Sequence, residues 1–568
     1  MILHCRLATA SCEHAPYNSP MTESTTAAGV GLADDDVLAC LRVLRAIEAD
    51  RSHLTRLSQE QRRELLTLAG LVSKPERFDL VKMAKAFRRA EREAAKEHDR
   101  KAIEQAGLRI QRRASTYAPL WLEPPKPEDL GDRPQLQQER TCYVCKTPFV
   151  KVHRYYDSMC EACGDFNYAK REQTADLSGH YALVTGARVK IGYQASLKLL
   201  RAGAHVIVTT RFPIDAAERY ANEPDYLAFR ERLQIHGLDL RHTPSVEIFT
   251  RFLIERLPRL DHILNNACQT VRRPAGFFQH LLAREAESVA ALPERLRGPL
   301  ASHDELLRIL GGQQTLGIRA GSDARVGAEL EGASFSARAG RGDASGGAGA
   351  ELSAAGRSAT TPRAHGEGLL HSAALSQRRY LDEDFYDGET LFPTDRYDED
   401  RQQVDLREVN SWRLRMHEVE TPELLEVQLV NAIAPYILNA RLKPLMLRSP
   451  ERHKHIVNVS AMEGQFYRAT KTDKHPHTNM AKAALNMMTR TSAPDFVREG
   501  IHMNAVDTGW VTDEDPAVHA ARKAEAGFSP PLDIIDGAAR IVDPLFMGRI
   551  TGTHVWGQFL KDYKPAPW

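Results

Sequence analysis

The sequence predicts an α/β fold built on a doubly wound parallel sheet, preceded by a small helical domain and a compact four-cysteine module. Three observations predict it. From Asp176 onward, short apolar runs alternate with stretches of helical periodicity, the pattern of strands joined by crossover helices. Two Cys-x2-Cys pairs stand close together just before that region. Between residues 34 and 113, apolar residues recur at helical spacing.

Composition narrows the class. The 568 residues are 42% hydrophobic and 27% charged, enough to bury more than one core. With 76 basic and 75 acidic residues the formal charge is +1, so no global field recruits nucleic acid or an anionic membrane. No apolar run approaches the ~20 residues that span a bilayer, and the N-terminus lacks a secretory layout, so the expected location is cytoplasmic. Eight cysteines, four of them in two close pairs, fit metal binding in a reducing compartment better than a disulfide framework.

In chain order, residues 1–33 are small and polar without an apolar period and read as a disordered leader. Residues 34–120 read as a helical domain: Val37, Leu41 and Leu44 share a face, and Ser58 with Gln61 forms a capping box for the next helix. Eleven basic residues against five acidic ones between Lys82 and Arg113 make a local excess, yet the interspersed acids indicate a solvated helix rather than a nucleic-acid surface. Residues 121–175 hold a Pro-rich linker and the cysteine module. Residues 176–568 hold the alternating domain, interrupted at about 283–376 by a Gly-, Ala-, Ser- and Arg-rich stretch expected to be a disordered insertion.

Cys142, Cys145, Cys160 and Cys163 give C-x2-C-x14-C-x2-C. Two such knuckles can set four thiolates tetrahedrally around a structural zinc ion with no open position, a zinc-ribbon-like arrangement. Buried reduced cysteines or a redox pair are the plainer alternatives. His153, between the pairs, is superfluous as a ligand.

In YALVTGARVKIGYQASLKLL a strand runs into Thr185-Gly186, and a helix begins near Ile191-Gly192. A glycine permits close backbone approach and a helix N-terminus presents N–H donors to a pyrophosphate. The second strand ends in Arg211, where an acidic residue would favour NAD; Arg211, Arg188 and Lys190 therefore favour the 2′-phosphate of NADP(H), the lesser alternative being that Arg211 is a solvated surface residue.

These residues, followed by Asn265-Asn266-Ala267, Asn431, VNVS ending at Ser460, and Lys482, resemble the TGxxxGxG, NNAG, Asn, Ser and YxxxK pattern of the short-chain dehydrogenase/reductase family across most of 177–568. The resemblance implies a Rossmann-like sheet, a nicotinamide cofactor, a small-molecule carbonyl or alcohol substrate and a homo-oligomer. It also places Asp239 at the adenine end, Asn265 and Asn266 among the cofactor-binding residues and Lys482 at the ribose. It implies a catalytic set of Asn431, a serine, a tyrosine and Lys482.

The chain departs from that set. Ala461 aligns with the family serine, with Ser460 one position earlier, and Thr478 stands four residues before Lys482 where the tyrosine belongs. An aliphatic hydroxyl titrates near ~15.7 against ~10 for a phenol, so the same proton transfer is harder by about 7 kcal/mol. Tyr467, His475 and His477 lie in the intervening loop as alternative donors. Lys190 replaces the middle glycine, and Cys268 the last glycine of NNAG; the thiol could be reactive or simply fill space. Two readings follow: an NADP(H)-dependent oxidoreductase with an altered proton donor, or a non-catalytic NADP(H)-binding scaffold whose helical and cysteine modules bind a protein partner.

Overall fold

A computed structural model describes residues 33–113, 135–317, 366–385, 388–398, 401–467, 471–512 and 514–568. The leader, the Pro-rich linker up to residue 134 and the central part of the insertion lie outside these. The chain divides into two compact units, Met1–Arg92 and Glu93–Trp568.

In the first unit, helices Asp34–Ala49 and Gln59–Ser73 form where the periodicity placed them, and the Ser58–Gln61 capping box is made in both directions at 3.1 Å. The apolar face itself stays largely exposed: Val37, Leu41, Leu44, Leu66 and Leu68 keep 39–54% of their surface open.

The helical stretch assigned to 34–120 does not form one domain. The long helix Arg77–Glu104 passes from one unit into the other, and its last turns, with the short helix Gly107–Arg112, belong to the core of the cysteine module. Ala102, Ala106 and Leu108 pack there with Phe149, Tyr156 and Met159. The Asp99 carboxylate accepts the N–H groups of Gln137 and Gln138, fastening the helix to strand β1 (Gln135–Thr141). β1 pairs antiparallel with β2 (Pro148–Lys151), and helix Glu161–Glu172 completes the module.

The large unit is built on β3 (Tyr181–Thr185), β4 (His205–Thr210), β5 (Leu233–Gly237), β6 (His262–Asn265), β7 (Lys454–Ser460), β8 (Ile501–Asp507), β9 (Phe559–Lys561) and β10 (Lys564–Ala566). Their order in the sheet is β10-β9-β8-β7-β6-β3-β4-β5; every pairing is parallel except β9 with β10. This is the predicted doubly wound, Rossmann-like sheet. Its strands are apolar on both faces because helices cover both. Leu197, Ile541 and Leu545 fill one core; Phe249, Leu438 and Leu442 fill the other.

Residues 283–317, expected to belong to a disordered insertion, are folded. Helix Glu294–Gly317 is folded against the sheet, with Leu292, Leu296 and Leu300 in the first core and Leu306 and Leu310 in the second. A four-residue apolar spacing carries this packing, and the surrounding Gly, Ala and Arg obscure it in the sequence. Residues 366–385 also return to the fold, where the Gly368 carbonyl accepts the Asp239 N–H and its own N–H donates to Ser245. Among the described residues no helix is long and apolar enough to cross a membrane.

Buried charge joins the cysteine module to the sheet. Arg171 donates to Asp533 at 2.6 Å, Tyr155 donates to the other Asp533 oxygen at 2.9 Å, and Tyr156 donates to Asp536 at 2.5 Å. Asp533 also caps helix Ile534–Thr551. Burial pushes its carboxyl up, but the Arg171 guanidinium outweighs burial and holds it at about 2. Asp536 is raised, burial being the main cause. Replacing Asp533 by Ala leaves a buried guanidinium short of a partner and should cost about 3–5 kcal/mol, read by urea unfolding of the full chain. A carboxyl depressed in the folded state stabilises above its unfolded value of 3.8 and loses that contribution as pH falls toward 2, so the variant should lack this part of the wild-type acid response, while Asp536 works in the opposite sense.

Candidate functional site

A cleft of about 1330 Å³ opens at the carboxyl ends of β3, β4, β6, β7 and β8. It lies where the strand order reverses between β3 and β6, the place open α/β sheets leave for ligands.

The loop after β3 forms its floor. Asn266 donates from one amide nitrogen to the carbonyls of Thr185 and Gly186, both at 3.1 Å, and the Ala267 N–H donates to the Thr185 hydroxyl at 3.0 Å. Two glycines make the approach physically allowed. Gly186 has φ +65° and a Cβ there would lie 2.7 Å from Ala267 Cα; a Cβ on Gly192 would lie 2.3 Å from the Asn266 amide. Helix Lys190–Arg201 then starts with no side chain capping its N-terminus, and Ile191 and Gly192 line the cleft. Lys190 adopts φ +55°, so the loop keeps a left-handed residue where the family pattern has glycine.

The predicted cationic residues separate into two kinds. Arg188 is buried and donates to Asp215 at 2.6 Å, so its charge is already matched. Arg211 stacks 4.5 Å over Phe278, lines the cleft and makes no ion pair among the described residues. Desolvation, aided by neighbouring Arg241, lowers it to about 10 against the opposing pull of Asp239 and Glu426. Asp239 reaches the cleft but is held by Arg241 in a bidentate pair at 2.6 and 3.0 Å, and Arg241 donates on to Glu426.

Several predicted site residues do not face the cleft. Asn265 points into the interior and donates to Asn439 and Asn458, both at 2.8 Å, since a polar side chain alternating inward on a buried strand needs internal partners. Asn431 sits in a π-helical turn, Leu429–Ile433, and clamps Gln269 by accepting its N–H at 2.8 Å and donating to its carbonyl at 3.0 Å; it shapes the loop that carries Cys268. Ser460 is at the rim, yet its hydroxyl donates to Asn486 at 2.6 Å. Tyr467 is 53% exposed and outside the cleft lining. His477 is buried behind the wall near Glu423, and His475 stacks flat on Trp412 at 3.9 Å. Thr478 and Lys482 do line the cleft: Lys482 donates to the Val459 carbonyl at 2.8 Å, and the Thr478 hydroxyl has no partner among the described residues. Cys268 is exposed at the rim.

Sequence reasoning missed the cleft's most distinctive residue. Tyr143, inside the first cysteine knuckle, reaches the cleft beside the β8 loop, where its oxygen accepts the Trp510 N–H at 3.0 Å. Lys561 lies over its ring and donates to Asp507 at 3.1 Å. Burial raises the Tyr143 phenol above 10, with Lys561 opposing. Only the module's docking brings Tyr143 here, and no local spacing reports docking. In the knuckles themselves the four sulfur atoms lie within 4.8 Å of one another, Cys145 and Cys160 at 3.6 Å. His153 is buried, accepting the N–H groups of Tyr155 and Tyr156, and takes no part in the cluster.

Two family models match. Residues 180–292 fit the short chain dehydrogenase model, and residues 409–528 fit the enoyl-(acyl carrier protein) reductase model. Both matched segments lie in the large unit, which over these residues is similar to short-chain dehydrogenases. An uncharacterized protein of Acanthamoeba polyphaga mimivirus is 28% identical over 435 residues, 74% of each chain. The (+)-neomenthol dehydrogenase of Capsicum annuum is 32% identical over 93 residues, 16% of this chain and 29% of that one. Human retinol dehydrogenase 11 is 28% identical over 112 residues, 19% of this chain and 35% of that one. The Pseudomonas aeruginosa RhlG/NADP active-site complex superposes with a TM-score of 0.37 at 15% identity, covering 68% of this chain and 95% of that one. Residues 293–408, which include most of the Gly-, Ala-, Ser- and Arg-rich stretch, lie between the two matched segments.

The loop contacts give a direct test. Gly179 also has positive φ, at +78°, but a Cβ there meets nothing within 4 Å. Gly179→Ala should lose only backbone strain, roughly 1 kcal/mol. Gly186→Ala should lose more, up to about 3 kcal/mol, because Ala267 must also move. Urea unfolding of both variants measures the difference.

Proposed function

We propose that this chain is an NADP(H)-dependent oxidoreductase acting on a carbonyl or alcohol, with Tyr143 in the proton-transfer role that Thr478 cannot fill. The observation that carries the reading is Arg211, a partly buried guanidinium with no ion pair among the described residues, at the end of β4 beside an uncapped helix N-terminus. That donor set fits the 2′-phosphate and pyrophosphate of NADP(H). When bound, the dinucleotide supplies or accepts the hydride. Gly186, Ile191 and Gly192 would face its phosphates, Arg211 the 2′-phosphate, and Lys482 a ribose. Tyr143 supports the altered chemistry: its oxygen already accepts one hydrogen bond, its own proton has no acceptor among the described residues, and its raised pKa keeps it protonated at neutral pH. The four cysteines would hold a structural zinc ion, since their sulfurs all lie within 4.8 Å of one another and Cys145 and Cys160, at 3.6 Å, suit a tetrahedral ion with Zn–S bonds of about 2.3 Å. Zinc would then fix the knuckle that presents Tyr143.

The full chain titrated with NADPH and NADH should bind NADPH more tightly. Arg211→Ala should weaken NADPH by roughly 10- to 100-fold, the value of a charge-assisted hydrogen bond, and leave NADH unchanged. No binding of either nucleotide would sink the reading.

Against a panel of carbonyl substrates, Tyr143→Phe should lower kcat by about 10²- to 10⁴-fold without changing NADPH affinity. Specific NADPH binding without turnover of any substrate would favour the scaffold reading, for which the hydrogen-bonded Ser460 and the missing phenol at Thr478 speak.

A further inference from the structure

Six imidazoles form a continuous cluster at the amino ends of the strands, opposite the cleft. His262, His455 and His502 are direct cross-strand partners on β6, β7 and β8. His180 precedes β3, His453 precedes β7, and His554 lies on the loop leading to β9. Neighbouring rings are 4.3–5.8 Å apart between centroids. Along β7, five residues at about 3.3 Å each put roughly 17 Å between His455 and the cleft rim at Ser460.

Ordinary packing does not account for this group. His262 and His455 are fully buried and His453 is 6% exposed, yet His453 has no hydrogen-bond partner for either ring nitrogen among the described residues, and His262 and His455 each have one nitrogen without a partner. A neutral imidazole always carries one N–H and one lone pair, so a buried ring with neither satisfied points to a ligand. The spacing points to which one. The His455 Nε2 and His554 Nδ1 atoms are 3.2 Å apart, and the ligand nitrogens of His453, His455 and His554 all lie within 4.8 Å of one another. Two nitrogens bound at about 2.0–2.1 Å to a tetrahedral ion stand at nearly the first of these separations. Gly548 keeps the place clear: a Cβ there would lie 2.5 Å from His554 Nδ1 and 3.0 Å from His455 Nε2. His554 is half-buried and gives an ion a way in.

We propose that His453, His455 and His554 bind a divalent late first-row transition ion, zinc being the natural occupant, at the amino edge of the sheet. Imidazole suits such ions, and three nitrogen ligands leave a position for water. The ion would pin β7 to the loop before β9. The nearby charges nearly balance: Asp261 is paired with Arg259, and Glu451 lies 3.3 Å from His180 and 3.7 Å from Arg549. His180 and His262 form a second arm with His453, their nearest nitrogens 3.2 Å apart, so the ligand assignment is itself testable.

The test is a Co²⁺ titration of the metal-stripped full chain, followed by absorption. Thiolate ligation gives an intense near-ultraviolet charge-transfer band, whereas imidazole ligation gives only visible d–d bands, so the cysteine knuckles and the histidine cluster are read separately. The expected result is a thiolate-free Co²⁺ equivalent whose affinity falls at least about tenfold in His554→Gln, with the thiolate band intact. His554→Gln is chosen because its side chain is half-buried; an unchanged thermal melt of the stripped protein shows that it folds, and His453→Gln provides the second variant. His180→Gln should leave the site unchanged. A thiolate signal alone, a thiolate-free equivalent that persists in both His554→Gln and His453→Gln, or one lost in His180→Gln would overturn the proposal.

Discussion

Two hydrogen bonds from one Asn266 amide nitrogen fix the distance between the loops after β3 and β6, and the cleft depends on that distance. Both loops leave the sheet where the strand order reverses, so nothing in the strand pairing itself holds their tips together. The amide bridges them only because Gly186 and Gly192 present no Cβ. Once they are held, the helix from Lys190 points its first N–H groups into the crevice, and Arg211 arrives from the next strand. Lys190 shows that the backbone shape, rather than the glycine, is the constant here: a lysine takes the left-handed conformation at a cost of about 1 kcal/mol.

The sheet and its loop were legible because strand runs, glycines and helix starts are local signals. Gly186, Arg188, Lys190, Ile191, Gly192, Asn266 and Lys482 line the cleft, while Thr185 stands behind it. What failed was everything that depends on where a side chain is drawn by distant partners. Asn265 and Asn266 are adjacent, yet one faces Asn439 and Asn458 inside the sheet while the other faces the cleft. Ser460 stands at the rim but is turned by Asn486 from another helix. Helix Glu294–Gly317 was hidden by composition, although its leucines keep a helical period. Tyr143 could not be found from spacing because its place at the cleft comes from docking of the module through Arg171 to Asp533 and Asp536, more than 360 residues further along the chain.

That docking changes what the cysteine module is. Its three-part core is continuous with the sheet domain through Leu532 and Ile534, and its tyrosines anchor the cap of the last long helix. The module is therefore one wall of the cleft rather than an appendage on a linker, and the geometry of its knuckle is transmitted to a residue that lines the site.

The two borders of the sheet carry a different consequence. On one side helix Glu294–Gly317 begins in the core of one face and ends in that of the other, so it crosses over the outer edge of β5. On the other, β10 is three residues long, antiparallel and contains Pro565, which offers no N–H. Neither border presents a long row of open backbone groups, so this sheet is a poor template for strand-by-strand growth into another molecule. Among the described residues, this eight-stranded sheet therefore lacks the bare borders on which strand-by-strand fibrillar growth depends.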